Sequence, residues 1–578
     1  MNKSAKDSDN AGNWGPRHLQ RLIQALSLTL FLALLWLTAF PLAQTIIPVD
    51  LYLRLDAAAG VLLPLAAKTW IANFIPALMV LALVLVFGRI FCGYFCPMGA
   101  TLDLARFLGA PPRSALRKDE KEPQQRLALL SGLKNLKYLL LAFLFAAALF
   151  GVNLVFWGSP IALITRFYAL LVHPLLTLLS SEILLLVRPL ADAADLIAIR
   201  YMQVMPRRFD SVYFLLALLG GLFLLERIRP RFWCRYLCPT GALFGLLSLQ
   251  PLWRRRVHKC VQCSRCVKSC PTGAIPPEAI TTAHRECITC RTCVGVCPVR
   301  GVRFALSELP DKSLPAVSPD VAAHTPSALL LPSRRAFLFS ATLGTGLASL
   351  GYTSNASLMP VGNHGSVRQT GLIRPPGARP EKDFLRRCLR CAQCMKACPT
   401  GGLQPVWLAA GFEGMFSPAL VSRTGPCEPE CTVCGMVCPS QAIKALPLEE
   451  KQHAKLGTAV VKPGLCLAWA EGRSCMVCQE VCPYGAITPV QNQGLAVSAP
   501  VVRAQRCIGC GFCEYHCPVY IPAITIQPIG ALRCSDGQYR DTARRAGLDL
   551  MPVSARQQHT LEDHEIVPEG SLPPGFAD

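Results

Sequence analysis

The chain has 578 residues, 52% of them hydrophobic and only 16% charged. That balance excludes an ordinary soluble globule and points to bilayer-length apolar segments joined to soluble parts. The formal charge is +22, but many Arg and Lys residues flank apolar runs, where they act as topology signals rather than as a nucleic-acid surface.

Residues 1–256 read as a membrane domain. A basic N-terminus carrying Lys3, Lys6, Arg17 and Arg21 precedes a first apolar run at about 22–40. A second run, about 71–90, has Trp70 as its interfacial anchor and leads into GRIFCGYFCPMGA. Residues 106–137 carry eight Arg and Lys residues, which predicts a cytoplasmic loop. Further spans fall at about 136–157 and 211–228. The last is short, and Glu226 and Arg227 have to lie at the interface. Between them, 161–187 is apolar but broken by Arg166, His173-Pro174 and Glu182, and reads as interfacial or re-entrant structure. Four spans from a cytoplasmic N-terminus bring the next segment, RPRFWCRYLCPTGALFG and its following arginines, back to the basic side.

The 29 cysteines are not scattered. A module at 257–305 holds Cys260, Cys263, Cys266 and Cys270, then Cys287, Cys290, Cys293 and Cys297. Both sets follow C-x2-C-x2-C-x3-C-P. After a Pro/Ser/Ala-rich linker at 306–332 comes SRRAFLFSATLGTGLASLGY at 333–352. It has the form of a twin-arginine export signal but lies inside the chain. Its glycines read as helix-packing residues. A larger module at 381–531 holds four more sets. Cys388, Cys391, Cys394 and Cys398 have the standard spacing. Cys427, Cys431, Cys434 and Cys438 open with an x3 gap, and Cys466, Cys475, Cys478 and Cys482 with an x8 gap. Cys507, Cys510, Cys513 and Cys517 are standard again. A polar tail occupies 532–578.

Three cysteines on a tight loop reach three irons of one cubane, and the fourth reaches the partner cluster of a two-cluster fold. The following Pro stops the local helix. Zinc sites favour paired cysteines separated by longer gaps, so the spacing predicts six 4Fe-4S clusters. Each carries about −2 with its thiolates, bringing the net charge to roughly +10. Whether the last four sets pair as neighbours or nest first with last is open.

Cys92, Cys96, Cys234 and Cys238 form two C-x3-C-P pairs near basic residues. Three readings stand: a seventh cluster held jointly, a redox-active dithiol pair, or buried structural thiols. His173 is either a proton acceptor for quinol or a kink residue beside Pro174. Cys534 reads as a small side chain. No C-x-x-C-H occurs, so no c-type haem attachment is signalled.

The predicted fold is an α-helical polytopic membrane domain plus two α+β ferredoxin-like modules of the bacterial two-cluster type, one of them doubled. On GRIFCGYFCP, WGSPI, WCRYLCPTGA and the two following quartets, the first 305 residues resemble the NapH/MauN family of membrane ferredoxins. On SRRAFL and four quartets with x3 and x8 openings, 333–531 resembles the NapG/MauM family. The resemblance implies a bacterial inner-membrane electron carrier, or a quinol dehydrogenase component. It would pass electrons from quinol or a cytoplasmic donor to a periplasmic reductase or cytochrome, with 257–305 cytoplasmic and 381–531 periplasmic. The chain departs from the pattern by joining both halves. A maturation or reductive-protection factor for a periplasmic metalloenzyme is the alternative, and retention of 333–352 as a fifth span is expected.

Overall fold

The computed structural model describes residues 16–38, 48–108, 133–193, 195–197, 207–209, 212–306, 334–357, 371–491, 497–535 and 537–550. The extreme N-terminus, most of the basic loop, nearly all of the linker, Ser333 and the tail beyond 550 lie outside the described residues.

Seven helical runs position everything else: α1 Pro16–Leu37, α2 Ala57–Ala67, α3 Ile75–Phe87, α4 Leu136–Leu149, α5 Pro160–Ala193, α6 Val212–Ile228 and α7 Arg334–Ser357. Four of them run between the two cysteine-rich modules in alternating directions. Gln20 near the start of α1 donates to the Gly93 carbonyl (3.1 Å), and Thr38 just past its end accepts from Lys396 (3.2 Å). Gly93 lies against the Ile288 carbonyl. Before α3, Asn73 donates to the Pro439 carbonyl (3.0 Å); after it, Arg89 meets Glu286 (3.2 Å). Lys137 in α4 pairs with Glu286 (2.5 Å), while the Gly151 carbonyl beyond its end accepts from Arg386 (3.1 Å). Phe214 of α6 meets the Trp407 ring at 4.9 Å, and Arg231 past its other end donates to the Cys92 carbonyl. Residues 253–306 therefore cap one end of the helical body and 371–550 the other. The α7 helix packs along α4, where a Cβ on Gly344 would stand 2.7 Å from the Phe143 carbonyl oxygen.

Two helices end sooner than the apolar runs that contain them. Gly88 (φ 67°) closes α3 and Gly151 (φ 81°) follows α4, since only glycine takes that backbone without strain. By length and composition, His18–Leu37 and Pro160–Ala193 are long and apolar enough to cross a membrane; Ala72–Phe87 and Leu136–Leu149 are shorter apolar helices. The expected break within 161–187 is corrected: α5 is one continuous run. Its α turns widen into a π turn at Tyr168–Val172, just ahead of Pro174, which absorbs the missing proline N–H without ending the helix. The excursion begins and ends at the same end of the body, since Asn153 and Phe214 both touch the larger module. Ser159 and Asp56 tie the starts of α5 and α2 together: each side chain caps its own helix, and the two hydrogen-bond each other.

Each module is built on short antiparallel ribbons. In the smaller, β1 (Trp253–Val257) pairs with β2 (Val302–Leu306), tying its two ends together. In the larger, β3 (Leu403–Pro405) pairs with β4 (Pro418–Leu420), β5 (Thr458–Val461) with β8 (Ile524–Gln527), and β6 (Ile487–Val490) with β7 (Ala499–Val502). One hydrophobic core runs from the helices into the larger module, joining Phe31, Leu63 and Phe156 to Met395, Phe416 and Ile526. The smaller module keeps a separate core around Ile275, Cys293 and Val302.

Candidate metal centres

The four standard quartets share one loop. The residue before the second cysteine and the residue after it both take left-handed backbone: Gln262 and Ser264, Thr289 and Arg291, Arg390 and Ala392, Gly509 and Gly511. Two such residues in a row of six turn successive N–H groups inward, a concavity suited to anions. The Gln262 N–H donates to the Cys260 sulfur at 3.4 Å. Six of these eight positions are not glycine, and the strain they hold marks a functional constraint. The quartets that open with x3 and x8 gaps do not use this turn.

The cysteines then line cavities in an exchanged arrangement. Cys260, Cys263 and Cys266 stand around one cavity with Cys297 of the neighbouring quartet. Cys427, Cys431 and Cys434 do so with Cys398. Cys466, Cys475 and Cys478 line a third with Cys517, and Cys507, Cys510 and Cys513 a fourth with Cys482. The two remaining sets follow suit: Cys438 packs with Cys388 and Cys394, and Cys270 lies within electrostatic reach of Cys287 and Cys293. The last four quartets thus pair as neighbours, first with second and third with fourth. Among the described residues no three His, Cys, Asp or Glu side chains converge on a single ion. Sulfurs bound to one zinc would lie about 3.8 Å apart; these stand around a space instead, as the corners of a cubane do. The donor set fits 4Fe-4S clusters.

Burial pushes the Cys391 thiol up to about 12, and Cys287 and Cys293 likewise. Iron must displace those protons on binding. The electrostatic compensation comes from arginines that the cysteine pattern does not reveal. Arg255 bridges the Ala279 carbonyl (2.8 Å) and Thr282 (2.9 Å) and reaches the Cys266 sulfur at 3.9 Å. Arg166 and Arg390 are fully buried at the junction of the helical body with the Cys388 site. Arg166 donates to the Arg390 carbonyl (3.0 Å), and Arg390 to the Asn153 carbonyl (2.8 Å). Both lie over the Phe156 ring, at 5.8 and 4.3 Å. Among the described residues neither makes an ion pair. Position was the available signal: Arg390 stands between Cys388 and Cys391, and Arg166 interrupts an apolar run.

The two C-x3-C-P pairs, far apart in sequence, come together in the helical body, where Cys96, Cys234 and Cys238 are buried and all four thiols lie within electrostatic reach of one another. The His173 ring lies 5.9 Å from that of Trp36, tilted by 56°, with its Nδ1 buried and unpartnered among the described residues. Glu226 is buried and accepts from the Arg231 N–H (2.6 Å). Cys534 fills a small core with Ala454 and Tyr539.

Comparison with known proteins follows the same division. Residues 69–113 and 211–259 match a family described as a 4Fe-4S binding domain. Residues 252–298 match one 4Fe-4S dicluster domain family, and 427–486 and 473–521 another. These last two windows overlap because every quartet repeats the same half; the exchanged cavities decide the pairing. The chain is 36% identical over 205 residues to the methylamine utilization ferredoxin-type protein MauM of Methylorubrum extorquens, covering 34% of this chain and 90% of that protein. It is 35% identical over 184 residues to the ferredoxin-type protein NapG of Escherichia coli K12, covering 30% and 78%. It is 31% identical over 161 residues to NapF of the same organism, covering 28% and 87%. No solved structure matches.

Proposed function

Since the chain belongs to the family of ferredoxin-type iron–sulfur electron-transfer proteins that includes MauM and NapG, we propose that it is an electron conduit across the bacterial inner membrane. Six 4Fe-4S clusters sit on the 24 quartet cysteines. Electrons enter from quinol, or from a cytoplasmic donor, and leave through the larger module to a periplasmic reductase or cytochrome. The observation that carries this reading is the separation of the modules to opposite ends of one helical body.

The membrane assignment is supported by side chains that point outward. Leu78, Met79, Leu83 and Leu85 on α3, Leu186 and Leu190 on α5, and Leu216 and Leu224 on α6 are all exposed, an arrangement that water penalises and lipid does not. Twin-arginine export of the 381–531 module fits the same scheme, because clusters inserted in the cytoplasm require passage of a folded domain. α7 then stays in place as a fifth span. The protein does little bond chemistry; it sets spacing, burial and charge around the clusters.

Redox-titrated EPR of the purified full chain with a quinol analogue tests the proposal. Rapid reduction of clusters in both modules is expected. Slow, single-turnover reduction confined to a few centres would overturn the conduit in favour of a maturation role.

A further inference from the structure

The four thiols outside the quartets sit in two copies of a longer pattern, R-x2-C-x3-C-P-x-G-A. One copy runs from Arg89 through Cys92, Cys96 and Pro97 to Gly99; the other from Arg231 through Cys234, Cys238 and Pro239 to Gly241. Each copy follows a helix that arrives from the same end of the body, α3 and α6. The copies close on each other reciprocally. Arg231 Nη1 donates to the Cys92 carbonyl at 2.9 Å and lies 3.6 Å from where a Cβ on Gly99 would stand. Arg89 Nη2 lies 2.6 Å from the equivalent point on Gly241. Each arginine thus crosses to the glycine of the other motif, and a side chain at Gly241 would collide with it. Between them the four thiols lie within electrostatic reach of one another, three of them 8% exposed or less.

A second observation points to a bound group. Arg89 is 1% exposed, and one of its nitrogens meets Glu286 at 3.2 Å and the Arg285 carbonyl at 2.9 Å. Its Nε and Nη2 have no hydrogen-bond partner, and neither do Trp233 Nε1 and Thr240 Oγ1 within the second motif. Buried donors left open are costly, and sulfide and thiolate are acceptors. The Gly241 N–H already donates to the Cys238 sulfur at 3.2 Å.

We propose that Cys92, Cys96, Cys234 and Cys238 together ligate a seventh iron–sulfur centre that relays electrons between the two modules. On one side, Gly93 packs on the Ile288 carbonyl and the Tyr94 hydroxyl donates to the Thr289 carbonyl (3.3 Å), both from the loop that carries Cys287 and Cys290. On the other, Phe95, beside Cys96, accepts from Ser27 (2.9 Å), and Ser27 is hydrogen-bonded to Tyr52 (2.8 Å). Val49, three residues from Tyr52, accepts from Gln393 (3.1 Å), the neighbour of Cys394. The step is a one-electron exchange. The centre is reduced as a cluster of one module is oxidised, and returns the electron to a cluster of the other; no bond or proton changes. The relay role rests on the conduit reading; the existence of the centre does not.

The test is the iron and acid-labile sulfide content of the anaerobically purified full chain. About 28 irons per chain are expected, falling to about 24, the content of six cubanes, in Cys96→Ala/Cys238→Ala. Equal counts, or zinc in the site, would overturn the centre. Arg89→Lys, which keeps every thiol, guards against misfolding: it should shift one EPR-detected midpoint and leave the other six, and no shift at all counts against the centre. If iron is lost but quinol still reduces both modules at the wild-type rate, the relay role fails. If wild type accepts no electrons from quinol, the conduit fails while the iron count still decides the centre.

Discussion

Arg390 and Arg166 show how single residues set the properties of a cluster. Two buried guanidiniums share one aromatic ring and bond only to backbone carbonyls. Burying a cation is expensive; Glu413 lies within electrostatic reach of Arg390, and a cluster at Cys388, Cys391, Cys394 and Cys438 would add the negative charge nearest to both guanidiniums. A cation held close to it favours the reduced state. At roughly 10 Å and an effective dielectric of about 20, one charge contributes on the order of 1–2 kcal/mol, or about 50–100 mV for one electron. Arg390→Met is therefore expected to lower one midpoint by that amount with iron content unchanged, read by potentiometric EPR. A midpoint that stays put would show that the guanidinium serves only packing. The ligand cysteines were readable from spacing because a cubane demands fixed intervals. The arginines were not, because charge compensation is satisfied by whatever cation the fold brings close, from any distance in sequence.

At the scale of elements, hydropathy placed the helices better than it ended or joined them. The four apolar runs expected to span coincide with α1, α3, α4 and α6, since a long apolar run satisfies its backbone most readily as a helix. Their limits were set by Gly88 and Gly151, whose positive φ is a conformational fact that hydropathy does not encode. Pro174 misled in the opposite direction: a π turn accommodates it, so α5 continues where a break was expected. Of the glycines expected to pack in 333–352, Gly344 sits against the α4 backbone at Phe143, whereas Gly346 has no atom within 4 Å of where a Cβ would stand. Gly344→Leu should force α7 off α4, because the obstructing atom is a carbonyl that cannot swing aside. Its expected signature is a cysteine pair engineered across the two helices that cross-links in the parent and not in the variant. The arginine pair carries a separate expectation. Arg334→Lys/Arg335→Lys should leave the larger module protease-protected inside spheroplasts, whereas an accessibility pattern identical to wild type would remove the export reading.

At the scale of the whole molecule, the helical body and the larger module share one core while the smaller module has its own. No periodicity predicts this, because contacts such as Trp157 with Phe412 (6.0 Å) or Arg387 with Thr69 (2.7 Å) join residues hundreds of positions apart. Asn153 is the densest of these joints. Its Nδ2 donates to the Cys388 carbonyl (2.9 Å) and the Leu385 carbonyl (3.4 Å), and its Oδ1 accepts from the Val155 N–H (3.2 Å). Asn153→Leu keeps the approximate volume but strands the Cys388 carbonyl, at a cost of about 1–3 kcal/mol, while the Leu385 carbonyl keeps its bond from Arg390 (3.1 Å). That cost falls on the docked state alone, since the stranded carbonyl meets water once the module lifts away. Iron content should be unchanged, because no ligand is touched. A reductant acting at the smaller module should then reduce the larger module's clusters at least tenfold more slowly than in wild type. The same clusters, reduced directly by dithionite, should respond as before. Equal slowing with both reductants would mean that the larger module is damaged, not undocked. No slowing with either would mean that docking through Asn153 does not gate the path between the halves.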